Sequence, residues 1–94
     1  MNNTKVYFLN EEKKVSWHFA DIITVQNRQY GFTTHESGKF TAYDVLSGER
    51  IGMFEHLIDF MDKINEPKFE EILESDKYKK ICLELKQALC YFKE

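Results

Sequence analysis

The hydrophobic pattern of this chain changes its period once, close to Phe54, and this change constrains the fold more than any other feature. Before it, apolar and polar side chains alternate in short runs such as Val15–Val25, which is the period of a half-buried β-strand. After it, apolar residues recur every three or four positions, which is the period of an amphipathic helix. We therefore expect an antiparallel β meander over residues 1–53 and a helical layer over residues 54–94.

Short β-prone runs separated by turn residues fill the first half of the chain. The predicted strands are Lys5–Leu9, Val15–Val25, Gln29–Thr34, Lys39–Leu46 and Ile51–Met53. Asparagine, glycine and serine at the connections favour hairpins, and hairpins between consecutive strands make an antiparallel meander. Asp21 interrupts the alternation of the long second run, which predicts a bulge or a bend that divides that run in two.

Amphipathic segments fill the second half. The first has an apolar stripe made of Phe54, Leu57, Ile58, Met61 and Ile64. Pro67 ends this helix or begins a second one, because proline is tolerated only in the first turn of a helix. Ser75 is a predicted N-cap for the last helix, whose stripe consists of Tyr78, Cys82, Leu85, Leu89 and Phe92.

The predicted fold class is therefore α+β. Four to five short strands connected by hairpins would form a small antiparallel sheet, and two to three C-terminal helices would cover it. Ninety-four residues, of which 43% are hydrophobic, suit a single domain spanning residues 1–94. Fourteen aromatic residues let so small a core bury a large apolar area.

Carboxylates are concentrated in the helical half. Between Glu55 and Asp76, eight acidic residues face two lysines, a local charge of −6 in a chain whose net charge is −3. Five of them recur at intervals of three or four and would line one side of a continuous helix: Glu55, Asp59, Asp62, Glu66 and Glu70. Such a row favours docking on a basic partner. The alternative is that it is only the solvated face of amphipathic helices.

Aromatic residues of the strands offer a second candidate surface. The run Arg28-Gln29-Tyr30-Gly31-Phe32 partly resembles the RNA-recognition signature, basic–Gly–aromatic–Gly–aromatic, in which rings stack on bases. Gln29 departs from that signature at its first glycine. Arg28, Tyr30 and Phe32 are thus the candidate residues for binding a single-stranded nucleic acid. The first 47 residues hold five basic and five acidic side chains, so direct nucleic-acid binding is the weaker expectation.

Motifs for catalysis and metal binding are missing from the sequence. Three histidines and two cysteines occur without C-x-x-C or H-x-x-x-H spacing, and there is no phosphate-binding loop or nucleophile elbow. We expect no metal, no cofactor and no catalytic residue, and a small enzyme with an unrecognised site is the remaining alternative. A polar beginning, two free thiols and the lack of a long apolar run predict a cytoplasmic protein without a membrane segment.

The leading prediction is a small, non-catalytic protein–protein interaction module. Its acidic helical face, or an exposed aromatic face of the sheet, would dock on a larger basic protein, for instance one that binds nucleic acid. Compact inhibitors and regulators carried by phages and other mobile elements resemble it in size and architecture. A homodimer through the last helix is a further possibility, because Lys79, Lys86 and Lys93 flank its apolar stripe at heptad spacing.

Overall fold

A computed structural model describes residues 4–92 of the chain. Five strands come first: β1 (Thr4–Leu9), β2 (Val15–Val25), β3 (Arg28–Thr34), β4 (Phe40–Asp44) and β5 (Arg50–Phe54). Three helices follow: α1 (Leu57–Ile64), α2 (Pro67–Glu74) and α3 (Asp76–Tyr91). The strands are ordered β1-β2-β3-β4-β5 and every neighbouring pair is antiparallel. The predicted α+β fold with a hairpin-connected meander is confirmed.

The long strand β2 serves two parts of the sheet. Its residues 15–20 pair with β1, and its residues 21–25 pair with β3. The change of partner falls at Asp21, where the sequence predicted a bulge or bend, although β2 remains one continuous strand. Phe19 and Ile23 lie on the same face of β2, before and after Asp21. Phe19 is exposed, whereas Ile23 packs against the core, so the surroundings of this face change at Asp21.

Two apolar clusters lie on opposite faces of β4, because they contain the adjacent residues Ala42 and Tyr43. The larger one joins strands to helices α1 and α2, and its buried members are Tyr30, Ala42, Phe60, Ile64 and Phe69. The smaller one brings β1 against the rest of the sheet, and its buried members are Val6, Ala20 and Tyr43. The approach at the smaller cluster is close: a Cβ on Gly31 would lie 2.5 Å from Cγ2 of Val6.

The boundary between the β half and the helical half differs from the prediction. Phe54 belongs to β5, and α1 begins only at Leu57. The buried side of α1 is formed by Phe60 and Ile64, whereas Leu57 and Ile58 of the predicted stripe are largely exposed. Phe54 continues the helical spacing of apolar residues in the sequence, but it packs against the same core from a strand.

The other helix boundaries follow the predicted signals. Pro67 is the first residue of α2, where its missing N–H costs no hydrogen bond. The Ser75 hydroxyl accepts a hydrogen bond of 3.2 Å from the backbone N–H of Tyr78 and so caps α3. Leu85 is buried, as its place in the stripe predicted. No helix between residues 4 and 92 has both the length and the apolar character needed to cross a membrane.

Candidate functional site

All five carboxylates of the predicted row lie on the surface of the helical layer. Glu55 precedes α1, and Asp59 and Asp62 lie on that helix. Glu66 is the N-cap residue of α2, and Glu70 lies in the first turn of α2. The row therefore crosses the junction between two short helices and is not carried by one continuous helix. Glu70 near the N-terminus of α2 is favourably placed relative to the helix dipole.

Only a small part of this negative charge is neutralised nearby. Glu66 pairs with Lys63 at 3.6 Å, and both side chains are about half exposed. The other four carboxylates form no ion pair within residues 4–92. An exposed pair such as that of Glu66 contributes little to stability. The carboxylates are consequently free to interact with cationic groups of another molecule.

Large apolar side chains stand among these carboxylates. Leu57 is 56% exposed and Ile58 is 63% exposed, both in the first turn of α1. Glu55 and Asp59 also line a shallow cavity of about 350 Å³ together with the exposed Met53 and with Lys39, the one cation among the described residues that line it. We name this surface the acidic face, and we define it as Leu57 and Ile58 together with Glu55, Asp59, Asp62, Glu66 and Glu70.

The residues proposed for nucleic-acid binding occupy the interior side of the sheet. Tyr30 is only 3% exposed, and its ring packs edge-to-face on Phe60 with 5.1 Å between centroids. Phe32 packs on the same Phe60 ring at 4.8 Å, and Arg28 donates a hydrogen bond to Asp44. The prediction that these rings form an exposed stacking surface is wrong, because Tyr30 is buried and Phe32 is partly buried against the same core.

The sheet does expose aromatic rings, but at the other end of β2. Trp17 and Phe19 are exposed there. The centroid of the Trp17 ring lies 6.4 Å from that of Phe92, and the Lys5 ammonium lies 4.5 Å from the centroid of Trp17. A cation over an indole ring is a favourable contact. Trp17 and Phe19 lie on the half of β2 that pairs with β1. The sequence pattern could not distinguish this half from the half that faces the helices.

A buried polar cluster joins the sheet to α3. Asp44 is 3% exposed at the end of β4, and its Oδ2 accepts hydrogen bonds from the Tyr78 hydroxyl at 2.6 Å and from the Ser47 hydroxyl at 2.8 Å. Nη1 of Arg28 donates to Oδ1 of Asp44 at 3.3 Å and to the Tyr78 hydroxyl at 2.6 Å. A carboxylate can stay buried in this way only because several donors replace its water.

Two titratable groups of α3 beside this cluster have raised pKa values, and burial is the main cause for both. Burial raises the pKa of Tyr78 well above its usual range, and the hydrogen bond that its hydroxyl donates to Asp44 raises it further. Burial also raises the pKa of the Cys82 thiol, which lies one turn further along the helix. A protonated thiol is a poor nucleophile, so Cys82 has the properties of a packing residue.

A cleft of about 580 Å³ opens beside this cluster, between the β4–β5 turn and the helices α2 and α3. Ser47 and Tyr78 form part of its wall, and basic side chains stand around it, among them Arg50, Lys68 and Lys77. Its apolar lining consists of Ile51, Phe69, Ile72, Leu73 and Ile81. Clefts of this size commonly bind small molecules.

Histidine and cysteine side chains do not gather into a metal site. No group of three or more metal-ligating side chains converges anywhere in residues 4–92. His18 is stacked between the rings of Phe8 and Tyr43, each 4.6 Å from it. His35 shares a hydrogen bond of 2.7 Å with Thr41. Both histidines are therefore engaged in contacts within the fold.

The polar cluster and the cleft were not found from the sequence. Asp44 stands near the end of the predicted strand Lys39–Leu46 and Ser47 directly follows that strand, and this local proximity is the only signal the sequence carries for the cluster. The partners Arg28 and Tyr78 are 16 and 34 residues away from Asp44 and share no motif with it. The carboxylates of the acidic face were predicted because they are close together in the chain, whereas the exposure of Leu57 and Ile58 was not.

Comparison with known proteins returns no match for this chain, whether against family models, curated proteins or solved structures. Its function has therefore to be inferred from the chemistry of its own surfaces. Two surfaces carry enough detail for this purpose, namely the acidic face and the cleft.

Proposed function

We propose that this protein is a small, non-catalytic module that binds a larger, basic protein through its acidic face. The observation that carries this proposal is the position of Leu57 and Ile58, two side chains more than half exposed, within a group of five exposed carboxylates. Protein interfaces commonly have an apolar centre and a polar rim. The acidic face has both parts, with the apolar residues in the first turn of α1 and the carboxylates spread over α1 and the start of α2.

The fold itself does not require the two apolar residues. Helix α1 packs against the core through the buried Phe60 and Ile64 and the partly buried Met61. Leu57 and Ile58 are 56% and 63% exposed, so each forgoes roughly half of the about 1.5–3 kcal/mol that full burial of a large aliphatic side chain provides. Covering these two side chains with a partner would recover part of that free energy, which gives the module a reason to bind.

The negative charge of the carboxylates favours basic partners. Four of them lack an ion-pair partner within residues 4–92, so their field extends into solvent. Such a field accelerates encounter with a basic surface and repels acidic ones. Proteins that bind nucleic acid have basic surfaces, and we propose one of them as the partner. The two free thiols fit a reducing compartment, the cytoplasm.

The size and architecture of the module suit a regulator. In size and architecture the module resembles the compact inhibitors and regulators carried by phages and other mobile elements, and we use this resemblance as an analogy of class. A chain of 94 residues with one prominent charged face fits that role. We extend the proposal accordingly: binding of the acidic face blocks or regulates the basic surface that it covers.

A capture experiment with three chains tests the proposal. The first chain is the wild type, and the second carries Asp59→Lys, Asp62→Lys and Glu66→Lys. The third carries Glu11→Lys, Glu12→Lys and Glu36→Lys, which changes the net charge equally at exposed positions in the turns of the sheet. Each is immobilised, exposed to the same lysate, and washed at low and at raised salt before mass spectrometry.

We expect a protein that the wild type and the turn variant retain and the acidic-face variant does not. Raised salt should release it, because exposed charges are screened within about 10 Å at 0.1 M salt. Retention of the same proteins by all three chains would overturn the proposal. A loss common to both variants would also overturn it, since net charge rather than the acidic face would then control binding.

The apolar part of the face has its own test. Leu57→Ser with Ile58→Ser should reduce retention of the same protein while the melting temperature stays close to that of the wild type. The matched control is Leu46→Ser with Leu83→Ser, because both leucines are similarly exposed elsewhere. Undiminished retention by the Leu57/Ile58 variant would show that these side chains do not contact the partner.

A further inference from the structure

We propose that the cleft between the β4–β5 turn and the helices α2 and α3 binds a small organic molecule with an apolar body and a single negative charge. The cleft holds about 580 Å³, which is within the range of about 300–1,000 Å³ typical of small-molecule sites. No residue of the acidic face lines this site, although the lining residue Lys63 pairs with Glu66 of that face. Its occupant is a different class of molecule from the protein partner.

The apolar body is inferred from the walls of the cleft. Ile51 of β5, Phe69 and Ile72 of α2, and Ile81 of α3 all line it. These residues come from three elements, so the walls surround the space on several sides. Ile72 is half exposed although it lies on the side of α2 next to this space. Covering it with a ligand would remove apolar surface from water.

The negative charge is inferred from the balance of ionic groups around the cleft. Arg50, Lys68 and Lys77 line it and form no ion pair within residues 4–92. Glu49 and Glu71 also line it, and they are likewise unpaired. The lining residues Lys63 and Asp44 are already neutralised, by Glu66 and by Arg28. One positive charge therefore remains in excess, which suits a monoanion.

The polar cluster makes one wall of the cleft rigid. The Tyr78 hydroxyl already donates to Asp44 and accepts from Arg28, and the Ser47 hydroxyl also donates to Asp44. These groups have no free donor for a ligand, so recognition of the anion falls to the basic side chains. A preformed wall lowers the entropy that binding must otherwise remove.

A fluorescence titration tests this inference with two matched probes. The first is 8-anilinonaphthalene-1-sulfonate, which has an apolar body and one negative charge. The second is N-phenyl-1-naphthylamine, which has nearly the same body without the charge. The variant Arg50→Gln/Lys68→Gln is compared with Lys79→Gln/Lys86→Gln, whose lysines are exposed on α3 and do not line the cleft.

We expect the wild type to bind the sulfonate at one site and the Arg50→Gln/Lys68→Gln variant to bind it about tenfold more weakly, the scale of one or two lost charge contacts. The Lys79→Gln/Lys86→Gln control should match the wild type, and binding of the uncharged probe should not change in either variant. A second pair of variants locates the site. Ile72→Glu places a negative charge in the cleft and should abolish sulfonate binding, whereas Leu83→Glu lies outside the cleft and should not.

Three results would overturn the inference. The first is sulfonate binding that does not saturate at one molecule per chain. The second is that sulfonate binding is weakened equally in Arg50→Gln/Lys68→Gln and in Lys79→Gln/Lys86→Gln, which would indicate a response to net charge. The third is unaltered binding by Ile72→Glu, which would place the probe outside the cleft. Melting curves of each variant show that the chain remains folded during these comparisons.

Discussion

The hydroxyl of Tyr78 donates a hydrogen bond of 2.6 Å to the buried carboxylate of Asp44, and this contact ties the first turn of α3 to the end of β4. We expect Tyr78→Phe to lower the free energy of unfolding by about 1–3 kcal/mol, because a buried charged acceptor loses a donor. Urea denaturation measures this change. Tyr91→Phe, at an exposed tyrosine on the same helix, should change stability by less than about 0.5 kcal/mol. Equal effects of the two substitutions would contradict this role of Tyr78.

The same contact predicts a dependence of stability on alkaline pH. Burial and the hydrogen bond to Asp44 raise the pKa of Tyr78 above its ordinary value of about 10, so the folded chain holds this proton more firmly than the unfolded chain. The resulting stabilisation is complete below about pH 10 and falls as the pH rises further. The stability difference between the wild type and Tyr78→Phe should therefore be constant near neutral pH and shrink above about pH 10. Urea denaturation of both proteins at each pH measures it, and a difference that stays constant would be inconsistent with the raised pKa.

Two leucines on α3 test how that helix packs. Leu85 is 2% exposed and Leu83 is 55% exposed. We expect Leu85→Ala to cost about 2–5 kcal/mol, because it leaves a cavity in the core. Leu83→Ala should cost less than about 0.5 kcal/mol. Thermal or urea unfolding of both variants checks the contrast, and similar losses for the two would mean that α3 packs in another orientation.

Val6 of β1 lies so close to Gly31 of β3 that we expect Gly31 not to accept a side chain. A Cβ at this position would lie 2.5 Å from Cγ2 of Val6 and 3.1 Å from Cβ of Ala20. Both neighbours are buried, and the interior of a protein is closely packed. Gly31→Ala should cost about 1–3 kcal/mol, the range of overpacked cores. Adding Val6→Ala should make Gly31→Ala less costly than it is in the wild type, and additive losses in the double variant would argue against this contact.

The two cysteines should react with iodoacetamide at different rates. Cys90 is exposed, whereas Cys82 is partly buried and has a thiol whose pKa is raised by burial. Only the thiolate is strongly nucleophilic, so Cys82 should be alkylated more slowly in the folded chain. Mass spectrometry of the digested protein after timed labelling gives both rates. Labelling in urea provides the control, in which the difference should largely disappear.

Local patterns in the sequence were sufficient to predict the elements of this fold. Alternation identified the strands, Pro67 marked the start of α2, and Ser75 marked the cap of α3, because each of these signals depends on neighbours in the chain. The error at Phe54 has a physical explanation. Its ring packs 5.7 Å from that of Phe60, so strand and helix contribute to one core and their apolar residues form a false helical series.

Features that depend on tertiary contacts could not be predicted in this way. Alternation places Tyr30 and Phe32 on one face of β3 but does not reveal that α1 covers this face. The cluster around Asp44 depends on Arg28 and Tyr78, which are remote in sequence. The carboxylates of the acidic face were predicted because surface exposure of charged residues needs no knowledge of the fold. The exposure of Leu57 and Ile58 became evident only from the direction in which α1 packs.

The most direct test of the proposed function is the affinity of the captured partner for the acidic-face variant, Asp59→Lys/Asp62→Lys/Glu66→Lys. Surface plasmon resonance at two salt concentrations compares this variant with the wild type and with the Glu11→Lys/Glu12→Lys/Glu36→Lys control. We predict affinity at least about tenfold lower for the acidic-face variant, with a smaller dependence on salt, and affinity near that of the wild type for the control. Equal affinity of all three chains at both salt concentrations would contradict the account.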